Sequence, residues 1–416
     1  MGPSGAVVAP ARYRWVVLAV GTAAQASVSA AWFGVAVLAP QLREQLHLTL
    51  GETGIVLAAF TIGMTPTLLP WGLLADRVGE RIVLPVGLAA SACAIAGVGI
   101  AHGYEELVLL LVAAGALSAS VNAASGRAVM QWFAPSERGL ALGIRQANVP
   151  LGGLLAALAL PPLADAAGLG WAFAALAGAC AAGALAGAVL LRDPKRDPAA
   201  GKPPLVPSRP LRLPAIWRIS WGSALIIVGQ TATMSFTVLF LHEGRGFTTG
   251  AAALALAASQ VLGAGFRILA GHWSDRLGTR ILPLCRLALG VTATLVLVAA
   301  VAHAPAWVLV PVLITAGGVG LSWNGLSFTA AAETAGTRAS GAALGLQQTI
   351  LGIGGIVAPI GFAAVVSVVS WRAAFLAAGV FPVLGWATLR PLAGGSAPNQ
   401  REDSNARRFS RLPASR

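Results

Sequence analysis

Charge is what this sequence has least of. Only 10% of its 416 residues are charged, against 56% that are hydrophobic. A soluble domain carries about 25% charged residues. So few charges do not cover the water-facing surface of a chain this long, and the class that remains is integral membrane protein. Cysteine is scarce too. Cys93, Cys180 and Cys285 each sit inside an apolar run, at spacings that fit neither a metal site nor a disulfide framework. They read as small buried hydrophobes. No nucleophile, base and metal constellation appears at helical spacing on any apolar run. No catalytic residue, metal or cofactor is therefore expected, and the chain is not read as an enzyme.

What the sequence does hold is apolar runs of about 20 residues, the length that crosses a bilayer as a helix. Twelve lie between polar turns, at roughly 15–39, 51–74, 82–101, 106–131, 139–163, 171–191, 216–241, 250–273, 281–302, 306–332, 341–366 and 371–390. Arg12 and Arg14 ahead of the first run imitate a signal peptide. That run continues through Trp32, Phe33 and Leu38, too far for one. Arg192 to Pro214 is rich in proline and basic residues and reads as a solvated linker. The tail beyond Arg390 reads as disordered. The expected division is a six-helix bundle over 1–191, a linker over 192–214, a second bundle over 215–390 and a tail over 391–416.

The formal net charge is +13. That value can mark a nucleic-acid partner, but here the positive charge lies at segment ends and tails rather than on one face, so nucleic acid is not expected. Lipid bilayer and a small-molecule substrate are the expected partners, and a monomer the expected state. With the N-terminus in the cytoplasm, Arg14, Arg77, Arg81, Arg138, the linker, Arg276, Arg280, Arg338 and the basic tail all fall inside. Only Arg43, Arg245 and Arg372 fall outside. The positive-inside rule then places both termini in the cytoplasm, in the inner membrane of a bacterium.

Two stretches echo each other: "GLLADRVGERI", Gly72 to Ile82, and "GHWSDRLGTRI", Gly271 to Ile281. Asp76 and Asp275 are 199 residues apart (275 − 76), and Trp171 and Trp371 are 200 apart (371 − 171). At an offset of 202, Gly143 matches Gly345, Gln146 matches Gln348, and Gly152-Gly153 matches Gly354-Gly355. Two six-span repeats joined by a linker are the pattern of a secondary transporter.

On these residues the chain resembles the major facilitator superfamily over nearly all its length. The family pattern between spans two and three is met by Gly72, Asp76, Arg77, Gly79 and Arg81, and again by Gly271, Asp275, Arg276, Gly278 and Arg280. The resemblance implies an all-α membrane protein of twelve helices in two pseudo-symmetric six-helix bundles that rock by alternating access. Pro150, Gly152 and Gly153 are similar to the antiporter glycine-proline motif but depart from it by one residue. The resemblance also implies a gate. Asp76 would face the start of span eleven near Gly341 and Ala342, and Asp275 the start of span five near Gly139, with Glu137, Arg138, Glu333 and Arg338 joining. The plainer reading is a local turn in which Gly79 supplies an unusual backbone angle.

No acidic residue and no histidine lies mid-span. The charged residues inside the spans are Arg127, Arg145, Arg267 and Arg286, the last near enough to a span end to serve as an interfacial anchor. A charged residue at mid-bilayer costs about 2.5–3.5 kcal/mol on insertion scales. Uncharged polar residues gather on some spans: Gln25 and Trp32 on one, Asn122 on four, Gln146 and Asn148 on five, Gln230 on seven, Gln260 on eight, Trp323 and Asn324 on ten, Gln347 and Gln348 on eleven. These spans should line the pathway, and spans three, six and twelve should face lipid. Trp32, Trp323 and Phe236 are candidates for an aromatic wall, or for plain packing. Arg267 resembles an arginine that anion porters of the family use in span eight.

The expected function is transport of a small organic solute, with arginine unbalanced by carboxylate favouring an organic anion. The expected substrate-binding residues are Gln25, Trp32, Asn122, Arg127, Arg145, Gln230, Arg267, Trp323, Asn324 and Gln348. A multidrug or metabolite exporter is the first alternative, and a non-transporting membrane sensor a remote one.

Overall fold

The computed structural model describes residues 13–133, 141, 144–192, 213–335 and 340–393; the side chains of Asp76, 126–131 and 340–342 also lie outside the description. Among the described residues no strand occurs, and twelve helices are long and apolar enough to cross a membrane. In lipid each backbone N–H and C=O must find its partner within the span, and a helix satisfies that requirement. The first six spans are α1 (Tyr13–Val37), α2 (Leu50–Val78), α3 (Glu80–Val98), α4 (Tyr104–Trp132), α5 (Ile144–Ala167) and α6 (Leu169–Leu190). The second six are α7 (Pro214–Leu239), α8 (Thr249–Leu277), α9 (Ile281–Ala300), α10 (Ala306–Ala335), α11 (Ser340–Val368) and α12 (Trp371–Ala393).

The termini of the repeats are built alike. Thr49 caps α2 by accepting from the Glu52 N–H at 3.2 Å, and Thr248 caps α8 by accepting from the Ala251 N–H at 3.2 Å. At the opposite ends, Gly79 (φ 88°) and Gly278 (φ 64°) close the charged turns in the backbone region that only glycine enters freely. Those two glycines explain the echo between the two stretches in backbone terms.

Packing repeats as well. Span α1 lies on α5 and α6 as α7 lies on α11 and α12, and α2 lies on α4 as α8 lies on α10. The sets meet chiefly through α2 against α11 and α5 against α8, with α1 touching α7. The central spans are the covered ones. The most apolar stretch of α7 is 89% buried and that of α6 only 33%, so α6 shows most of its surface to lipid, as does α12. Span α3 departs from its expected lipid exposure: its stretch is half buried, as is that of α4. Gly87 lets α3 press onto Ser120 of α4, where an added Cβ would lie 2.0 Å from the hydroxyl. Two spans are interrupted. Span α10 breaks at Trp323, and α5 at Ala147, just after Gln146.

The sets meet most tightly at the end opposite Tyr13 and Ala393. There Gly54 of α2 faces Pro359 and Ala363 of α11, and contact continues through Thr61 against Gly355 to Thr65 against Gly352. Val37, Leu38, Phe236, Val238, Leu239 and Leu241 are buried at this end. Toward the other end Leu69, Leu73, Trp217 and Trp221 are exposed.

Candidate functional site

Four polar side chains from α1, α4 and α5 converge inside the first six-span set. The Arg145 Nε donates to Ser125 Oγ at 3.0 Å, and its Nη2 donates to the Asn122 carbonyl at 3.1 Å. Nη2 also lies 3.4 Å from Asn122 Oδ1 and 3.5 Å from Gln25 Oε1. Gln25 Nε2 in turn donates to Asn122 Oδ1 at 2.8 Å, and Ser125 Oγ donates to Gln25 Oε1 at 3.1 Å. Each partner of the guanidinium is a neutral oxygen. Among the described residues no carboxylate pairs with it, and its Nη1 makes no hydrogen bond. The break at Ala147 puts Arg145 on a separate turn, tied back by Asn148 Nδ2, which donates to the Arg145 carbonyl. Val17, Leu18, Gly21, Thr22 and Phe133 close in beside Ser125 and Arg145 and leave no room there for a water molecule.

The second set holds a twin. Asn324, Ser327 and Gln347 each follow Asn122, Ser125 and Arg145 by 202 positions (324 − 122, 327 − 125, 347 − 145). Asn324 Nδ2 donates to Gln230 Oε1 at 3.0 Å, and Gln347 Nε2 donates to Ser327 Oγ. Glutamine stands where the first set has arginine. It stops at the serine, and its Oε1 is buried without a partner. The Gln–Asn bond also runs the other way. In the first set the amide oxygens turn to the cation; in the second, where Gln347 replaces the arginine, the asparagine donates.

Of the expected substrate residues, the structure thus gathers Gln25, Asn122 and Arg145 in one cluster and Gln230 with Asn324 in the other. It adds Ser125, Ser327 and Gln347, whose signal was the 202-residue offset. Gln348, one residue further along α11, is half-buried and outside the cluster. Arg267 is placed differently. Its Nε and Nη2 donate to the Leu321 carbonyl at 3.2 and 3.1 Å, and its Nη1 reaches across the interface to the Gln146 carbonyl at 2.9 Å. Both carbonyls lie beside helix breaks, where the regular intrahelical partner is lost. Arg267 therefore ties the two sets together. Trp32 is half-buried against Phe33, with ring centroids 4.9 Å apart. Trp323 is fully buried at the break in α10, its Nε1 unpartnered. Phe236 belongs to no wall: it stacks on Phe362 at 4.6 Å within an aromatic core that includes Trp371. Arg286 is exposed, its guanidinium 5.5 Å over the Trp273 ring, as an anchor would be. The side chain of Arg127 lies outside the described residues.

The charged turns are only partly visible. Asp275 pairs with Arg280, which also reaches Glu333 at the end of α10, at 3.2 Å. Burial lowers the Arg280 pKa, but its bonds to Asp275 and Glu333 outweigh that and raise it. Asp275 is thus engaged within its own set, while Gly139, its expected partner, lies outside the described residues, as do Glu137, Arg138 and Arg338. The side chains of Asp76, Gly341 and Ala342 are likewise outside. Arg77, Arg81 and Arg276 are exposed at this end. At the opposite end Arg43 and Glu243 form an ion pair between the sets, each about a quarter to a third exposed.

A duplicated twelve-helix membrane protein with matched polar clusters inside both repeats is the architecture of a secondary transporter. The Major Facilitator Superfamily model matches residues 21–359, and the chain belongs to that family. It is a non-enzymatic transporter of the membrane. The chain is 34% identical to the uncharacterized MFS-type transporter Rv2994 of Mycobacterium tuberculosis, over 89% of this chain and 83% of that one. It is 27% identical to the probable nitrate/nitrite transporter NarK2 of the same organism, over 79% and 84%. It is 25% identical to the hexuronate transporter of Bacillus subtilis, over 29% of each chain. Among solved structures, an inward-facing, occupied bacterial homolog to the human lysosomal transporter Spinster aligns with a TM-score of 0.78 at 18% identity, covering 93% of this chain and 99% of that one.

Proposed function

We propose that this chain carries a small organic anion across the bacterial inner membrane by alternating access, with Arg145 anchoring the negative group. The observation that carries the reading is the guanidinium itself. It sits within a membrane span, its partners are neutral oxygens, and its Nη1 is left to bond something else. A cation in such a place is costly unless paired, and a bound anion supplies the pair. The named relatives support this, since hexuronate, nitrate and nitrite are all anions. With both termini in the cytoplasm, the closely packed end lies outside.

The test is a melting-temperature screen of the purified protein against galacturonate, gluconate, nitrate, neutral sugars and organic cations, followed by counterflow in proteoliposomes. A ligand that binds only the folded state raises the melting temperature. Anions alone should do so. Stabilisation and transport confined to cations or neutral solutes would overturn the reading.

A further inference from the structure

We propose that the exchange of arginine for glutamine between the twin clusters, Arg145 against Gln347, sets the charge and orientation of the substrate: a monoanion with its acid group on the first set and its hydroxyl-bearing end on the second. This rests on the anion reading above. The duplication puts the clusters at equivalent places on the two sets, each partly on α1 or α7, spans that touch across the interface, and transporters of this build hold their substrates where the repeats meet. One cluster presents a cation and amide oxygens turned toward it. The other presents Gln230 and Asn324, whose amides pair with hydroxyls as readily as with each other. A dianion would bring a second carboxylate to a cluster whose neighbouring cation, Arg267, is already committed to the Leu321 and Gln146 carbonyls.

Gln347 is then the position that rejects the second charge. The second cluster has the serine, the asparagine and the glutamine of the first, with Ser223 bonded to Ser327 besides, and the buried Gln347 Oε1 has no partner. An arginine at 347 would find the same four acceptor groups that Arg145 finds, once the Gln230–Asn324 bond reverses.

The test compares two matched pairs, galacturonate with galactarate and gluconate with glucarate, on the wild type, Gln347→Arg, and the exchange Arg145→Gln/Gln347→Arg. Binding is read by calorimetry in detergent. The wild type should favour the monoanion of each pair. Gln347→Arg should move the preference at least about tenfold toward the dianion, a change of about 1.4 kcal/mol. The exchange, with its one cation moved across, should bind the monoanion more tightly than Arg145→Gln alone. If Gln347→Arg does not fold, Gln347→Lys serves, with a smaller shift expected. A folded variant with the wild-type preference overturns this proposal and leaves the anion reading standing. A wild type that binds no member of either pair but binds neutral or cationic solutes defeats the anion reading itself.

Discussion

Arg145 concentrates the chemistry at the residue scale, and its twin shows how to probe it without breaking the fold. Glutamine at the equivalent place in the second set is accommodated there, so Arg145→Gln should fold with a near-native melting temperature. It should lose anion affinity by at least about tenfold, since hydrogen bonds to charged groups contribute about 1.5–3 kcal/mol each. Arg145→Lys keeps the charge but not the fork that spans Ser125, Asn122 and Gln25; it should fall between. Binding measured by calorimetry orders the three, and equal affinity in all would remove Arg145 from the site. The types of these residues were legible in the sequence, because a polar side chain in an apolar run must face the interior. Which of them touch was not. Arg145 and Arg267 look alike as lone arginines in spans. Only the break at Ala147, which brings the Gln146 carbonyl within reach of Arg267, shows that one organises a polar cluster and the other ties the sets together.

At the scale of the helix, the glycine pairs divide their labour. Gly152 packs on α1, where an added Cβ would lie 2.5 Å from the Ala26 carbonyl, and Gly354 packs on α7, 2.5 Å from the Ala224 carbonyl. Each second glycine faces the other set instead: Gly153 meets Gln260 of α8 at 2.3 Å, and Gly355 meets Thr61 of α2 at 3.3 Å. A side chain at Gly354 must push rigid backbone aside within a bundle. Gly354→Leu should therefore destabilise by about 1–3 kcal/mol, the cost of overpacking, and lower the melting temperature measurably. Gly355→Val should spare the melting temperature and slow transport, because it crowds a surface where the sets move past each other. Similar melting curves for the two would refute the division. The sequence disclosed these pairs through their constant offset. It did not disclose the break in α10 at Trp323 or the covered flank of α3, because both arise from close contacts between spans that composition does not encode.

For the whole molecule, the open question is what holds one end shut. The gate legible in the sequence was the charged turn, yet Asp275 is occupied by Arg280 within its own set. The ion pair that does cross the interface lies at the other end, between Arg43 on the short helix Ala39–Gln45 and Glu243 on the π-turn Phe240–Gly244. The two stand 200 residues apart (243 − 43), within the range of the repeat offsets, yet as single residues they read in the sequence only as scattered outer charges. A partly exposed pair contributes about 0–1 kcal/mol, enough to shift a two-state equilibrium up to about fivefold. Its contribution exists only while this end is closed. Arg43→Glu and Glu243→Arg should each place like charges together and shift the population toward opening at this end. The double exchange restores opposite charges and should restore the balance. Thiol labelling reads the equilibrium: with Cys93 replaced by alanine and Cys180 and Cys285 buried, a cysteine in place of Ala58, fully buried on α2 one turn beyond Gly54, should label faster in either single variant. In the double exchange it should label at the rate of the parent. High salt should narrow the differences, since exposed pairs are screened. If the singles label like the parent, other contacts hold this end, and the buried apolar surface of α1 and α7 is the seal in its own right.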